Sequence, residues 1–171
     1  TWALFGEGRT KGVFQLEKSL GKHWSEQIKP VSVEEVSALI SLIRPGTLKA
    51  IVDGKSMTKH FLDRKNGEEE FEYFHPDAGK ILDSTYGVIV YQEQSLALAK
   101  MFAGFDLVQA DTLRRAIGKK KADIMAQCRT EFISGCNGEN IIDGPDAEAL
   151  FDIIEKSNRY SFNKAHGTGY A

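Results

Sequence analysis

Apolar residues recur at three- and four-residue intervals through most of the chain, the spacing that lines up side chains on one face of an α-helix. Ser32-Val33-Glu34-Glu35 has the serine and trailing glutamate of a capped helix start, and Val36, Leu39, Ile40, Leu42 and Ile43 supply the stripe behind it. Arg44-Pro45-Gly46 is expected to stop that helix, because proline turns the preceding residue away from helical torsions and glycine permits a turn. His75-Pro76-Asp77 predicts a short helix closed by Tyr86-Gly87, and Ala97, Leu98, Met101 and Phe102 predict another ending near Gly104. Asp106 then caps a helix with Leu107, Ala110, Leu113 and Ile117 on one face and Gly118 at its close. Ile124, Met125, Cys128 and Phe132 mark a further helix broken at Asn137-Gly138. Gly144-Pro145-Asp146 opens one that carries Ala149, Leu150, Ile153 and Ile154. Residues 13–17, Val-Phe-Gln-Leu-Glu, alternate with the period of two of a half-buried strand. The expected fold class is therefore mainly α, a multi-helix region with a short strand near the N-terminus. Residues 1–30 read as a lead-in segment and residues 31–171 as the helical region, with no internal repeat.

Composition narrows the class. A chain of 171 residues, 42% apolar and 27% charged, can bury one hydrophobic core and does not resemble a disordered segment. Its apolar runs fall well short of the ~20 residues a membrane-spanning helix needs, and no charged-then-apolar signal opens it. A cytoplasmic setting without a membrane partner is expected. Cys128 and Cys136 read as partly buried thiols in a reducing compartment rather than a disulfide or metal pair. The chain opens on Thr1-Trp2 and closes on Gly169-Tyr170-Ala171, which reads as a fragment of a larger protein.

The formal net charge is -2, so affinity for nucleic acid has to come from a local patch. Leu113-Arg114-Arg115-Ala116-Ile117-Gly118-Lys119-Lys120-Lys121 provides one, with five cations in the eight residues from Arg114. A helix dipole accounts for one or two cations in a last turn. It does not account for three more lysines after the glycine, and phosphate binding does. Upstream, Tyr91, Gln92 and Gln94 set an aromatic ring and two amides in an otherwise core-like stretch. Rings stack on bases, amides bond base edges or sugars, and Arg or Lys hold phosphates. A nucleotide and nucleic-acid contact surface is the reading that absorbs all of these.

Other segments support blander assignments. Gly6-Glu7-Gly8-Arg9-Thr10-Lys11-Gly12 has neither dinucleotide-loop nor P-loop spacing and reads as a turn. Glu35 is better explained as a cap reaching back to the Ser32 amide than as a metal ligand. Lys55, Lys59, His60, Arg64 and Lys65, followed by Glu68-Glu69-Glu70 and Glu72, read as a solvated charged face. A loop and helix touching a nucleic-acid backbone is the sharper alternative there. Arg44 is either a helix-end cation or a phosphate ligand. His166 has no metal-ligand spacing and no nucleophile context. A hydrogen bond to sugar or phosphate and a helix-start histidine both remain open for it.

Five stretches occur in order: Gly12-Val13-Phe14-Gln15-Leu16-Glu17, Arg44-Pro45-Gly46, Tyr86-Gly87-Val88-Ile89-Val90-Tyr91-Gln92-Glu93-Gln94, the Leu113-to-Lys121 run, and Phe162-Asn163-Lys164-Ala165-His166. Together they resemble the bacterial replicative DNA polymerase III alpha subunits, the C-family DNA polymerases, over essentially the whole chain. The resemblance implies the mainly helical fingers region that follows the palm and closes over an incoming dNTP. It implies that Arg114 and Arg115 hold the triphosphate, with Lys119 and Lys120 as helpers and Lys164 as a further phosphate ligand. His166 would lie near the sugar, and Tyr91, Gln92 and Gln94 in the wall around the nucleotide. Implied partners are dNTP, primer-template DNA, the palm and thumb of the same polymerase chain, and replisome accessory subunits. The magnesium of the parent enzyme would sit on palm aspartates outside this chain, leaving the isolated segment inactive as a polymerase. Thr47 after Arg-Pro-Gly, Ser161 and Ala165 around the Asn-Lys-x-His motif, and the spacing from Ala50 to Phe61 depart from the family's common pattern, as a divergent, phage-encoded member would. Read from its residues alone, the chain also fits a non-enzymatic helical nucleic-acid-binding module.

Overall fold

The computed structural model describes residues 1–119 and 122–171, and helices carry most of them. In chain order these are α1 (Trp2–Gly6), α2 (Ser19–Ile28), α3 (Val33–Leu42), α4 (Pro45–Lys49) and, after a hairpin of β1 (Ile51–Val52) and β2 (Lys55–Ser56), α5 (Met57–Lys65). Then come α6 (Gly79–Leu82), between the 3-10 turns Pro76–Ala78 and Asp83–Thr85, α7 (Gln92–Ala103) and α8 (Leu107–Lys119). The last three are α9 (Ala122–Glu139), α10 (Gly144–Asn158) and α11 (Lys164–Tyr170). The mainly-α expectation holds, with eleven α-helices among the described residues rather than about six. Those missed are mostly short, and one or two turns carry too few apolar positions to show a period.

The caps follow from the sequence. Ser32 Oγ accepts from the Glu35 amide at 3.1 Å, Asp106 Oδ1 from the Gln109 amide at 2.8 Å, and Asp143 Oδ1 from the Asp146 amide at 3.1 Å. Several ends differ from expectation. Pro45 does not merely follow α3; it opens α4, taking the first helical position where its missing N–H costs nothing. Gly118 does not close α8, which continues to Lys119, and Leu107 at its start is exposed; Ala110, Leu113 and Ala116 are buried, while the Ile117 side chain lies outside the described residues. Asn137-Gly138 lies inside α9, and the turn comes at Asn140, with φ +55°.

The strand expected over residues 13–17 is a run of turns. The Val13 amide bonds the Thr10 carbonyl and the Leu16 amide bonds the Val13 carbonyl, both at 3.1 Å. The apparent alternation came from one fully buried side chain, Leu16, in a loop. Strand pairing occurs instead in the hairpin, with Ile51 opposite Ser56 and Val52 opposite Lys55. Its two-residue turn, Asp53-Gly54, has positive φ at both positions, the combination that matches the twist of paired strands.

The apolar residues form two clusters where the sequence implied one core. Helices α7 to α10 enclose Leu98, Phe102, Leu113, Phe132, Leu150 and Phe151. The second cluster gathers Leu16, Ile28, Leu39, Leu42 and Phe61 from α2, α3, α5 and the loop before α2. Residues 88–91 run along the seam. Ile89 joins the first cluster, while Val88, Val90 and Tyr91 join the second, so this stretch is apolar on both sides. Cys128 and Cys136 are buried free thiols on α9, and burial raises the Cys136 thiol to about 11. Among the described residues no helix is long and apolar enough to cross a membrane.

Candidate nucleotide and nucleic-acid interface

Two of the motifs are joined directly by the backbone. Tyr91 and Phe162 form a parallel bridge, in which the Phe162 amide donates to the Val90 carbonyl and the Gln92 amide to the Phe162 carbonyl, both at 2.9 Å. The bridge sets the start of α7 beside the start of α11. Glu93 completes the junction: its carboxylate accepts from Asn163 Nδ2 and from the Lys164 amide, each at 3.0 Å. Asn163 Oδ1 in turn caps the His166 amide at 2.9 Å. A carboxylate here both receives hydrogen bonds and complements the positive end of α11. Nothing in the one-dimensional pattern singles out Glu93 for this.

The residues between these motifs are largely engaged in holding them. Gln94 is buried, and its amide oxygen accepts from the Val90 and Tyr91 amides at 2.9 Å each. Its Nε2 donates to Thr85 Oγ1 at 2.7 Å and to the Ile81 carbonyl at 3.3 Å. Tyr91 is also buried, donates to Ser37 Oγ at 3.1 Å, and has its phenol pKa raised by that burial. Gln92 is half-buried at the first position of α7. Lys164 Nζ lies 5.7 Å from the Tyr91 ring centre, beside a cleft of about 120 Å³ that Val33, Glu34, Ser37, Ser84 and Thr168 also line.

His166, two residues on, belongs to another group. Its ring centre is 5.1 Å from Phe162 and 4.7 Å from Tyr170, and Tyr170 stacks on Phe14 at 4.1 Å. A two-residue step turns a helix through about 200°, so Lys164 and His166 flank α11 on opposite sides of its buried Gly167. Arg44, whose role was open, bonds the Ser41 carbonyl through Nε at 3.0 Å and the Tyr160 carbonyl through Nη2 at 2.6 Å. Its guanidinium also covers the Phe162 ring at 4.3 Å, and burial lowers its pKa. It acts as the tie that holds the approach to α11.

The two arginines of the basic run project from α8, and both pair with Asp111 one turn earlier. Ala116, the next residue, lines a concavity of about 600 Å³ with Ala122, Met125, Ala126, Arg129, Glu155, Arg159 and Tyr160. Arg129 pairs with Asp152 and Glu155, and Arg159 with Glu155. The concavity thus extends from the end of α8 to the segment leading into α11. The arginines sit on α8, which packs into the first cluster, whereas His166 sits on α11, which packs against α3 of the second. The Lys119 side chain and all of Lys120 lie outside the described residues. Arg129 and Arg159 were not anticipated. Asp111 was legible, since it stands three and four residues before the arginine pair.

Over residues 55–72, Glu68, Glu70 and Glu72 are exposed as a solvated face would have them, but Glu69 is drawn into a network with the preceding cations. Glu69 receives Arg64 Nε at 2.6 Å, His60 Nδ1 at 2.8 Å and Lys55 Nζ at 3.0 Å, while His60 Nε2 meets the Val52 carbonyl at 2.7 Å. Burial alone would raise the Glu69 carboxyl, but these donors outweigh it and hold it down to about 2. Glu35 does not reach the Ser32 amide; it accepts from the Val31 amide at 2.8 Å, Lys65 Nζ at 2.8 Å and Tyr86 Oη at 2.7 Å. Here too the donors outweigh burial, and the net pKa is lowered. Among the described residues no group of three or more His, Cys, Asp or Glu is placed to hold a metal ion.

Residues 1–140 match the bacterial DNA polymerase III alpha subunit finger domain. DNA polymerase III subunit alpha of Aquifex aeolicus is 43% identical over 169 residues, which cover 99% of this chain and 14% of that protein. The subunit of Pseudomonas aeruginosa is 43% identical over 175 residues, again 99% of this chain and 14% of its own length. That of Bacillus subtilis is 40% identical over 172 residues, 100% of this chain and 15% of its own. The chain thus spans about one-seventh of the length of these relatives. With identity at this level running from end to end, and its motifs joined around the seam between two helical clusters, the chain belongs to the bacterial DNA polymerase III alpha subunit finger domain family.

Proposed function

We propose that this chain is the part of a replicative DNA-directed DNA polymerase that grips the triphosphate of an incoming dNTP and orients it for template-directed transfer to a primer. The observation carrying this reading is the concavity of about 600 Å³ that Ala116, Arg129 and Arg159 line, at the end of the helix from whose exposed side Arg114 and Arg115 project. Its size suits a nucleotide-scale ligand. Arginine is the side chain best matched to phosphate, through its planar fork of donors and permanent charge. Lys119 and Lys120 continue the same basic run. On this reading Tyr91, Gln92 and Gln94 serve the nucleotide wall chiefly by holding it in shape, His166 reaches toward the sugar, and Lys164, on the other flank of α11, meets primer-template DNA.

Transfer joins a primer hydroxyl to the α-phosphate and expels pyrophosphate. Magnesium, held in the rest of the polymerase, supplies Lewis acidity. The arginines of this chain neutralise charge on the departing pyrophosphate and hold the substrate in line, which removes much of the entropic barrier. In the intact polymerase Arg114→Ala is expected to lower kcat/KM for dNTP by ~10³ and to leave primer-template affinity nearly unchanged. Equal losses in both would assign Arg114 to the DNA backbone instead. The isolated chain is expected to bind without polymerising, and magnesium-dependent primer extension by it alone would overturn that.

A further inference from the structure

Arg114 and Arg115 are not free cations awaiting an anion. Asp111 Oδ1 accepts from Arg114 Nε at 2.9 Å and Nη2 at 2.7 Å, while its Oδ2 lies 2.6 Å from Arg115 Nη2. One carboxylate thereby serves two adjacent guanidinia, one oxygen for each. The hydrogen bond from Arg114 is the foremost reason that the Asp111 carboxyl lies below its ordinary range. Three- and four-residue spacings are those at which helix side chains meet, and acid before base is the favourable order. Helix side chains also lean toward the N-terminus. The paired guanidinia are accordingly drawn back along α8 toward Asp111, and neither arginine lines the concavity that Ala116 lines. Side-chain exposures of 34% for Asp111, 42% for Arg114 and 67% for Arg115 leave the cluster open to an incoming ligand. Arg129 is held differently: it has two carboxylate partners, Asp152 and Glu155, and lies 4.8 Å from the Phe151 ring centre.

We infer that Asp111 is a latch on the triphosphate site, a positioning residue that holds both arginines back until a polyphosphate displaces it. The inference rests on the proposed role of Arg114 and Arg115 as triphosphate ligands. A monoanion that displaces Asp111 merely exchanges one unit charge for another. A diphosphate group brings more charge than it replaces and enough oxygens to serve both guanidinia. The latch also keeps two adjacent like charges compensated while the site is empty.

The test is primer extension by the full polymerase chain containing this segment, with pyrophosphate as an added inhibitor. Releasing two exposed helix pairs is expected to make Asp111→Asn sensitive to about fivefold less pyrophosphate and to lower KM for dNTP by a similar factor. The value of kcat should stay level or fall. Asp111→Glu keeps a carboxylate in reach and is expected to restore both constants toward wild type. Unchanged or weakened pyrophosphate inhibition in Asp111→Asn, with Arg114→Ala weakening it, overturns the latch and leaves the arginine assignment standing. If Arg114→Ala itself leaves pyrophosphate inhibition at the wild-type level, the triphosphate reading falls and the latch falls with it.

Discussion

Replacing Glu69 with glutamine removes the charge on which Arg64, Lys55 and the His60 ring converge. In the folded chain the carboxyl is 16% exposed and lies near 2 instead of the ordinary 4.5. At ~1.4 kcal/mol per pKa unit, that difference makes the ionised carboxylate worth roughly 3 kcal/mol to the folded state. The estimate agrees with the ~3–5 kcal/mol typical of breaking a buried pair by removing one partner. Because the folded pKa is the lower one, the contribution is complete above about pH 5 and fades as the pH falls toward 2. Chemical denaturation of the 171-residue chain, followed by circular dichroism, should show Glu69→Gln less stable by roughly 3 kcal/mol at pH 7, with the gap narrowing below pH 5. The loss should also loosen the hairpin, because His60 links Glu69 to the Val52 carbonyl. A gap that stays constant between pH 7 and pH 4 would refute the electrostatic account and leave only a packing effect.

Two further substitutions test the packing of the helices that frame the site. A Cβ on Gly135 of α9 would stand 2.2 Å from the Ala103 carbonyl oxygen at the end of α7, so Gly135→Ala is expected to cost ~1–3 kcal/mol in thermal or chemical melts. Gly138→Ala, on the same helix with no atom within 4 Å of the new Cβ, should instead stabilise by up to ~1 kcal/mol, and like signs for the pair would contradict the close-approach argument. Glu93→Ala removes both hydrogen bonds to the start of α11 and should cost ~1–3 kcal/mol, seen as faster amide exchange over residues 163–170. Unchanged protection there would mean that the Tyr91–Phe162 bridge alone docks the helix.

The charged stretch shows how far sequence reading reached. Lys55 to Lys65 and Glu68 to Glu72 look like opposed surface blocks because their order along the chain says nothing about partners. Folding sets α5 against the hairpin and the following loop, which places Glu69 beside His60 and Arg64 and leaves Asp63 buried. The alternation at residues 13–17 misled for a related reason, since a single buried leucine in a turn has the same local pattern as a strand. Conversely, the hairpin was announced by Asp53-Gly54, a turn pair with its own backbone requirement, and was missed because its strands have only two residues each.

What the sequence by itself determined is what depends on neighbours a few residues apart. That includes the helical class, the caps at Ser32 and Asp106, the two thiols left unpaired, and the basic run from Arg114. The tertiary structure decided which distant residues share a place. It joined Tyr91 to Phe162, divided the core in two along residues 88–91, and brought Arg129 and Arg159 to the concavity that Ala116 lines. The physical reason is that periodicity records which face of an element is buried, whereas the partner of that face is chosen by packing and long-range hydrogen bonds, which leave no local trace.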